Sequence, residues 1–261
     1  MAKVYIFGIG GTGSRVLRSL TMLMAAGVQC SVDTIVPIII DRDLSNRDFS
    51  RTKLLIEDYI EVNKQVSKTH KEKFLGTKIS LLENNVCLQL EDKNQKFGDF
   101  IGKNVMSPNN KALIEMLFTK ETLNLDMTVG FQGNPNIGSV VLNQFDKSDI
   151  FKAFANDFKD GDKIFIISSI FGETGASGFP LLRKILQTPN MQDREGKLLP
   201  NWGLINKAPI GAISVLPYFT VGQPKDDSQV DSDTFIDKAR AALSYYKAED
   251  RKIDTLYYIA D

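Results

Sequence analysis

Residues 164–186 read IFIISSIFGETGASGFPLLRKIL, and this stretch constrains the fold most tightly. Ile164 to Ser169 are apolar or small throughout, which suits a strand covered on both faces. Gly172, Glu173, Thr174, Gly175, Ala176, Ser177 and Gly178 follow. Such a loop has little side chain, so its backbone N–H groups can turn towards an anion. Phe179, Leu182 and Leu186 resume at helical spacing, and Pro180 is expected in the first helical turn, where its missing N–H costs nothing. Strand, glycine loop and helix start together hold phosphate on amides at the positive end of a helix dipole. A glycine turn with no phosphate role has the same local sequence, so this reading needs support from the rest of the chain.

The same unit opens the chain. Val4–Phe7 is a short apolar strand, followed by Gly8, Gly10, Gly11 and Gly13 in GIGGTGS. Val16, Leu17, Leu20, Leu23 and Met24 then recur at helical spacing, with Gly27 as C-cap. Thr34–Ile40 is the second strand, and Pro37 inside it marks an edge or a bulge. Asp41 and Asp43 lie just past its end; carboxylates there accept ribose hydroxyls, face a metal on phosphates, or cap the turn. Asp126–Val129 reads as a third short strand, followed by the loop residues Gly133, Asn134, Pro135 and Gly138 and one amphipathic helix over 140–158. Ile210–Leu216 and Thr255–Ile259 complete six strands, with a helix over 234–246 between them.

The 261 residues are therefore expected to form one domain of α/β class. Its core is a mostly parallel, six-stranded, Rossmann-like sheet with helices on both faces, and a helical insertion spans about 50–120. Glycine loops after the first, third and fourth strands share the C-terminal rim of such a sheet, where ligands bind.

Composition removes several other classes. Lys+Arg and Asp+Glu both number 32, so a broad electrostatic grip on nucleic acid or an anionic membrane is not expected. His70 is the only histidine and sits among Lys68, Lys71 and Lys73, as a solvated surface residue would. With only Cys30 and Cys87 beside it, a Cys/His zinc site is excluded, and so is a Ser-His-Asp triad not built on His70. No metal-binding cluster of the protein's own is expected. No apolar run approaches the length of a membrane span, and two thiols without an export signal fit the cytoplasm.

Four motifs in order resemble the nucleotide-binding domain of the tubulin/FtsZ superfamily, and most of all its divergent bacterial tubulin-like members. GIGGTGS at 8–14 is similar to the first phosphate loop and GNPNIG at 133–138 to the loop after the third strand. GETGASG at 172–178 is similar to the GGTGSG signature loop, and GAISVLPYF at 211–219 to the fifth strand and its trailing Pro-Phe. The resemblance implies binding of GTP or GDP with Mg2+, and GTP hydrolysis linked to head-to-tail assembly, as in a bacterial cytoskeleton. Carried over by position, the nucleotide-binding residues are Gly10, Gly11, Thr12, Arg15, Asp41, Asp43, Gly133, Asn134, Pro135 and Gly172 to Gly178. The Thr174 hydroxyl and the amides of Gly175 to Ser177 are expected on the terminal phosphates.

Three departures stand out. The chain ends at Asp261, just after the sixth strand, without the family's central helix and catalytic loop; either the sequence is a fragment, or those parts are expected from self-association or a partner chain, and no catalytic residue is assigned. Glu173 replaces a glycine, and like-charge repulsion is expected to turn it away from the phosphates unless it meets Mg2+. Arg15 stands where relatives often carry an Asn near the base, which leaves guanine against adenine open.

Two other families share part of this pattern. GIGGTGS with DRDLSNRD at 41–48 is similar to adenylating enzymes that activate ubiquitin-like proteins. Gly8, Gly10 and Gly13 with Asp41 also fit a Rossmann NAD(P)-binding protein. The first does not require a glycine loop after the fourth strand, and for the second nothing resembles a catalytic dyad for hydride transfer.

Overall fold

The computed structural model describes residues 2–43, 46–66, 73–88, 96–127, 130–131, 134–218, 232–248 and 253–260. The strands are β1 (Lys3–Ile9), β2 (Thr34–Ile40), β3 (Lys78–Ile79), β4 (Lys163–Ser169), β5 (Ile210–Val215) and β6 (Thr255–Ile259). They form one six-stranded sheet in the order β3-β2-β1-β4-β5-β6, and every pairing is parallel. Strand order reverses direction between β1 and β4, which sets the switch point of the sheet there.

The longer helices are α1 (Gly10–Ala25), α2 (Arg47–Gln65), α3 (Pro108–Leu117), α4 (Pro135–Leu142), α5 (Asp149–Asp157), α6 (Glu173–Leu186) and α7 (Ser232–Ala248). Side chains alternate between the two faces of each strand, so the apolar runs supply two cores at once. One face carries Tyr5, Phe7, Ile9, Val36, Ile38, Ile164 and Ile166 against α4, α5, α6 and α7. The other carries Ile6, Ile35, Ile39 and Ile167 against Leu17 and Met24 of α1 and Phe49, Ile56 and Tyr59 of α2. Phe154 anchors the first core, meeting Tyr5 and Phe7 edge-on at 4.9 and 5.3 Å between ring centroids. At the foot of the sheet, the Tyr5 hydroxyl and the Lys3 ammonium both donate to Asp157, at 2.8 and 2.6 Å.

Pro37 is tolerated because of where β3 stops. Ile35 and Ile39 direct their backbone groups outward, to Ser80 on one side and to Val86 and Leu88 on the other. Pro37 lies between them, where the short β3 has already ended, so its missing N–H leaves no partner unsatisfied. At the opposite edge β6 has no buried residue, and Tyr257, Tyr258 and Ile259 are half-exposed.

Three elements differ from the sequence reading. Asp126 makes only an isolated antiparallel bridge to Lys96, and the sheet's edge strand comes instead from Lys78–Ile79, which is too short to show a period. Thr128 and Val129, the rest of that expected strand, lie outside the described residues, as does His70. The single helix expected over 140–158 is two helices, broken by a 3-10 turn at Phe145–Lys147, where Ser148 caps α5 by accepting from the Phe151 N–H. The third is Pro180, which lies well inside α6 rather than in its first turn, because the helix begins at Glu173. There it withholds a hydrogen bond from the Ala176 carbonyl four residues back. The Tyr246 hydroxyl of α7 donates to that carbonyl instead, at 3.2 Å.

Candidate functional site

The C-terminal ends of β1, β2 and β4 meet in a cleft of about 230 Å³ at the switch point. Two helices start there. α1 begins at Gly10, directly after β1, and α6 at Glu173, four residues after β4 ends. Neither start is capped by a side chain. The first intrahelical bond of α6 runs from the Ala176 N–H to the Gly172 carbonyl at 2.9 Å. The N–H groups of Glu173, Thr174 and Gly175 precede it, so they sit at the positive end of the helix dipole.

The two starts are interlocked by the absence of side chains. Gly10 has φ +68°, and a Cβ there would stand 3.4 Å from the Thr174 Cβ. A Cβ on Gly13 would come within 2.4 Å of the Gly8 carbonyl carbon, so the first turn of α1 lies directly on β1. A Cβ on Gly175 would meet the Ser169 carbonyl oxygen at 2.4 Å. Glycine here permits the close approach that turns both first turns towards one cleft.

The acidic side of the cleft comes from β2 and α6. Asp41 is buried; its Oδ1 accepts from the Asp43 N–H at 3.1 Å, and its Oδ2 has no hydrogen-bond partner. Burial raises the Asp41 pKa most strongly. Backbone hydrogen bonds at Asp43 and Arg42 oppose this, the Asp43 and Glu173 charges add to it, and the result is pushed up to about 7. Glu173 lines the cleft, and its Oε1 accepts from the Phe131 N–H at 3.0 Å, which ties the 130–131 segment to α6. Arg15 lies on the opposite wall. It donates to the Thr12 hydroxyl at 3.4 Å and pairs with Asp48 at 3.7 Å.

Thr12 and Arg15 also border a second hollow of about 510 Å³, which adjoins the cleft along α1. Val16, Val215, Tyr218 and Ile259 give it apolar walls. Cleft and hollow together have the dimensions of a small-molecule site, with a polar end and an apolar end.

Of the residues named from sequence, Gly10, Gly11, Thr12, Arg15, Asp41, Asp43 and Gly172 to Gly175 line the cleft. The others do not. Ala176 and Ser177 face a separate cavity along α6, where Asn134 and Pro135 join them. The Ser177 hydroxyl donates back to the Glu173 carbonyl at 2.6 Å. Gly178 packs on Ile9 inside the core. Of the amides expected as donors, Gly175 to Ser177, the Ala176 N–H is already used within the helix. Gly133 lies outside the described residues.

Sequence reasoning missed Asn46, Gly130, Ser169 and Phe171, all of which line the cleft. Asn46 had a signal: it caps α2 by accepting from the Asp48 N–H at 2.8 Å, and Asn is a preferred residue at such starts. Ser169 sits at the last position of β4, where the strand read as apolar or small.

Among the described residues, no three His, Cys, Asp or Glu side chains form a metal cluster, and no helix is long and apolar enough to cross a membrane. No protein-family model and no curated protein matches the chain. Solved structures do. A W319Y mutant of FtsZ from M. jannaschii is 17% identical and matches 99% of this chain and 46% of its own, with a TM-score of 0.44. CetZ2 from Haloferax volcanii, in a GTPγS-bound protofilament, is 14% identical and matches 100% and 49%, with a TM-score of 0.46. TubZ from Bacillus thuringiensis serovar israelensis is 11% identical and matches 99% and 48%, with a TM-score of 0.41. The chain is thus similar to FtsZ, CetZ and TubZ along its length, and it spans about half the length of each.

Proposed function

We propose that the chain is a tubulin/FtsZ-like guanine-nucleotide-binding protein whose GTP hydrolysis is linked to assembly. One observation carries the nucleotide reading: two helix starts without side-chain caps, α1 and α6, open into one cleft at the switch point of a parallel sheet. In this reading the first-turn amides of both helices hold the phosphates, with the Thr174 hydroxyl beside them. The apolar hollow next to Arg15 takes the nucleoside. Guanine rather than adenine comes from the motif resemblance.

Mg2+ fits the acidic side of this cleft. The buried Asp41 Oδ2 lacks a hydrogen-bond partner, and Asp43 lies beside it. Mg2+ binds through one or two carboxylates and completes its shell with phosphate oxygens and water, so no three-residue cluster is required. When bound, it neutralises phosphate charge that this cleft, without a lysine among the described residues on its walls, does not offset by side chains alone. Hydrolysis in this reading needs groups from a second copy or a partner chain.

Equilibrium titration with fluorescent GTP, GDP and ATP analogues tests the proposal. Tight binding of GTP and GDP is expected, with ATP at least about tenfold weaker. Gly11→Glu places a carboxylate in the cleft where a Cβ meets only Asn46, at 3.5 Å, so the fold should survive while binding is lost. Unchanged affinity in that variant and in a Thr174→Ala, Gly175→Val double variant would refute the assignment. A critical concentration for GTP turnover is the expected sign of assembly.

A further inference from the structure

We propose that Glu173 is a specificity residue whose carboxylate stands in for a terminal phosphate, so that the cleft takes a nucleoside diphosphate in preference to a triphosphate. This rests on the nucleotide reading above and adds to it the length of phosphate chain that the cleft accepts.

The carboxylate is built into the cleft. Glu173 lines it as the first residue of α6, where the helix dipole favours a negative charge. Its Oε1 accepts from the Phe131 N–H at 3.0 Å, the kind of bond a phosphate oxygen makes to a backbone amide. Gly130 makes room for it. That residue has φ +96°, and a Cβ there would come within 2.8 Å of the same Oε1. The backbone at 130–131 is thus shaped around an anion that the chain itself supplies.

Its position sets the phosphate count. Thr12 and Arg15 border both the hollow and the cleft, whereas Gly130 and Glu173 border the cleft alone. With the nucleoside in the hollow, a phosphate chain enters past Thr12, and its far end comes towards Glu173. A third phosphate brings further negative charge to that end and competes with the carboxylate for the Phe131 N–H. Little on the walls offsets this. Among the described residues they carry Asp41, Asp43 and Glu173 against one guanidinium, Arg15, which pairs with Asp48 at 3.7 Å. The field of Glu173 also reaches the β2 side of the cleft, where it adds to the raised pKa of Asp41.

Fluorescent GDP and GTP analogues are titrated against the full chain in chelator, so that no divalent cation screens the phosphates. GDP is expected to bind at least about tenfold tighter than GTP. Glu173→Gln keeps an oxygen for the Phe131 N–H and removes the charge, and Glu173→Ala removes both. In each variant GTP should gain at least about tenfold relative to GDP. A ratio that stays put in either variant, with native circular dichroism, would overturn the proposal. So would GTP binding to the parent as tightly as GDP, or tighter. Both of those results leave the nucleotide reading standing. Binding of neither nucleotide to the parent removes that reading, and this proposal with it.

Discussion

Replacing Asp41 by Asn tests how much folding stability the cleft gives up. Asp41 is 6% exposed and one of its oxygens has no partner, so its charged form is poorly solvated in the folded protein. Its pKa rises from 3.8 to about 7 on folding. A carboxyl group whose folded pKa is raised holds its proton more tightly when folded. Stability is therefore highest below the unfolded pKa and falls as pH climbs from about 4 to about 7. At about 1.36 kcal/mol per pKa unit, the full loss by pH 8 is about 4 kcal/mol. Asn titrates nowhere in this range. Asp41→Asn should match the parent near pH 4 and exceed it by up to about 4 kcal/mol at pH 8. Urea unfolding from pH 4 to 8, in chelator and without nucleotide, measures this directly. Curves that stay parallel across that range, or a variant less stable than the parent at pH 8, would refute the reasoning. The same substitution should weaken Mg2+-dependent stabilisation by GTP, because strain kept at a binding site is what a ligand relieves.

Other perturbations probe the scaffold around the cleft. Tyr246→Phe should cost about 1–3 kcal/mol by stranding the Ala176 carbonyl. In a Pro180→Ala background that cost should largely vanish, since an alanine there can supply the helical donor; a double-mutant cycle by urea unfolding reads the coupling, and a zero coupling term would contradict it. Gly13→Ala pushes a Cβ to 2.4 Å from the β1 backbone and should destabilise by about 3 kcal/mol or more while removing nucleotide affinity. Asp157 is desolvated, but donors from Lys3 and Tyr5 outweigh this and lower its pKa. Asp157→Asn should thus destabilise at neutral pH, and the difference should close as the parent loses its advantage on acidification below about pH 4.

Much of the fold was legible because its strongest elements are parallel strands buried on both faces, which read as unbroken apolar runs. β1, β2, β4 and β5 carry that signature, and β6 is an apolar run although none of its residues is buried. β3 carries none: two residues set no period, and only its pairing with Thr34 and Ile35 makes it a strand. The cleft was legible from Gly8 to Gly13 and from Gly172 to Gly175, where missing side chains allow close approach. It was misread past Gly175 because small residues inside a helix look like a loop in sequence. Ala176 and Ser177 are small for a different reason, to leave space against α7, and Gly178 to sit on Ile9. The Tyr246 partner of Pro180 lies 70 residues from the carbonyl it serves, beyond any local pattern.

The two margins of the sheet are not equivalent. Pro37 and the two-residue β3 leave one margin without a continuous row of donors, while β6 presents a full strand on the other. Among the described residues, only the β6 margin can zip onto a neighbouring backbone. Such zipping joins two copies and then stops, since among the described residues each copy has one such margin to offer. Edge-on sticking through the described strands therefore ends at a pair.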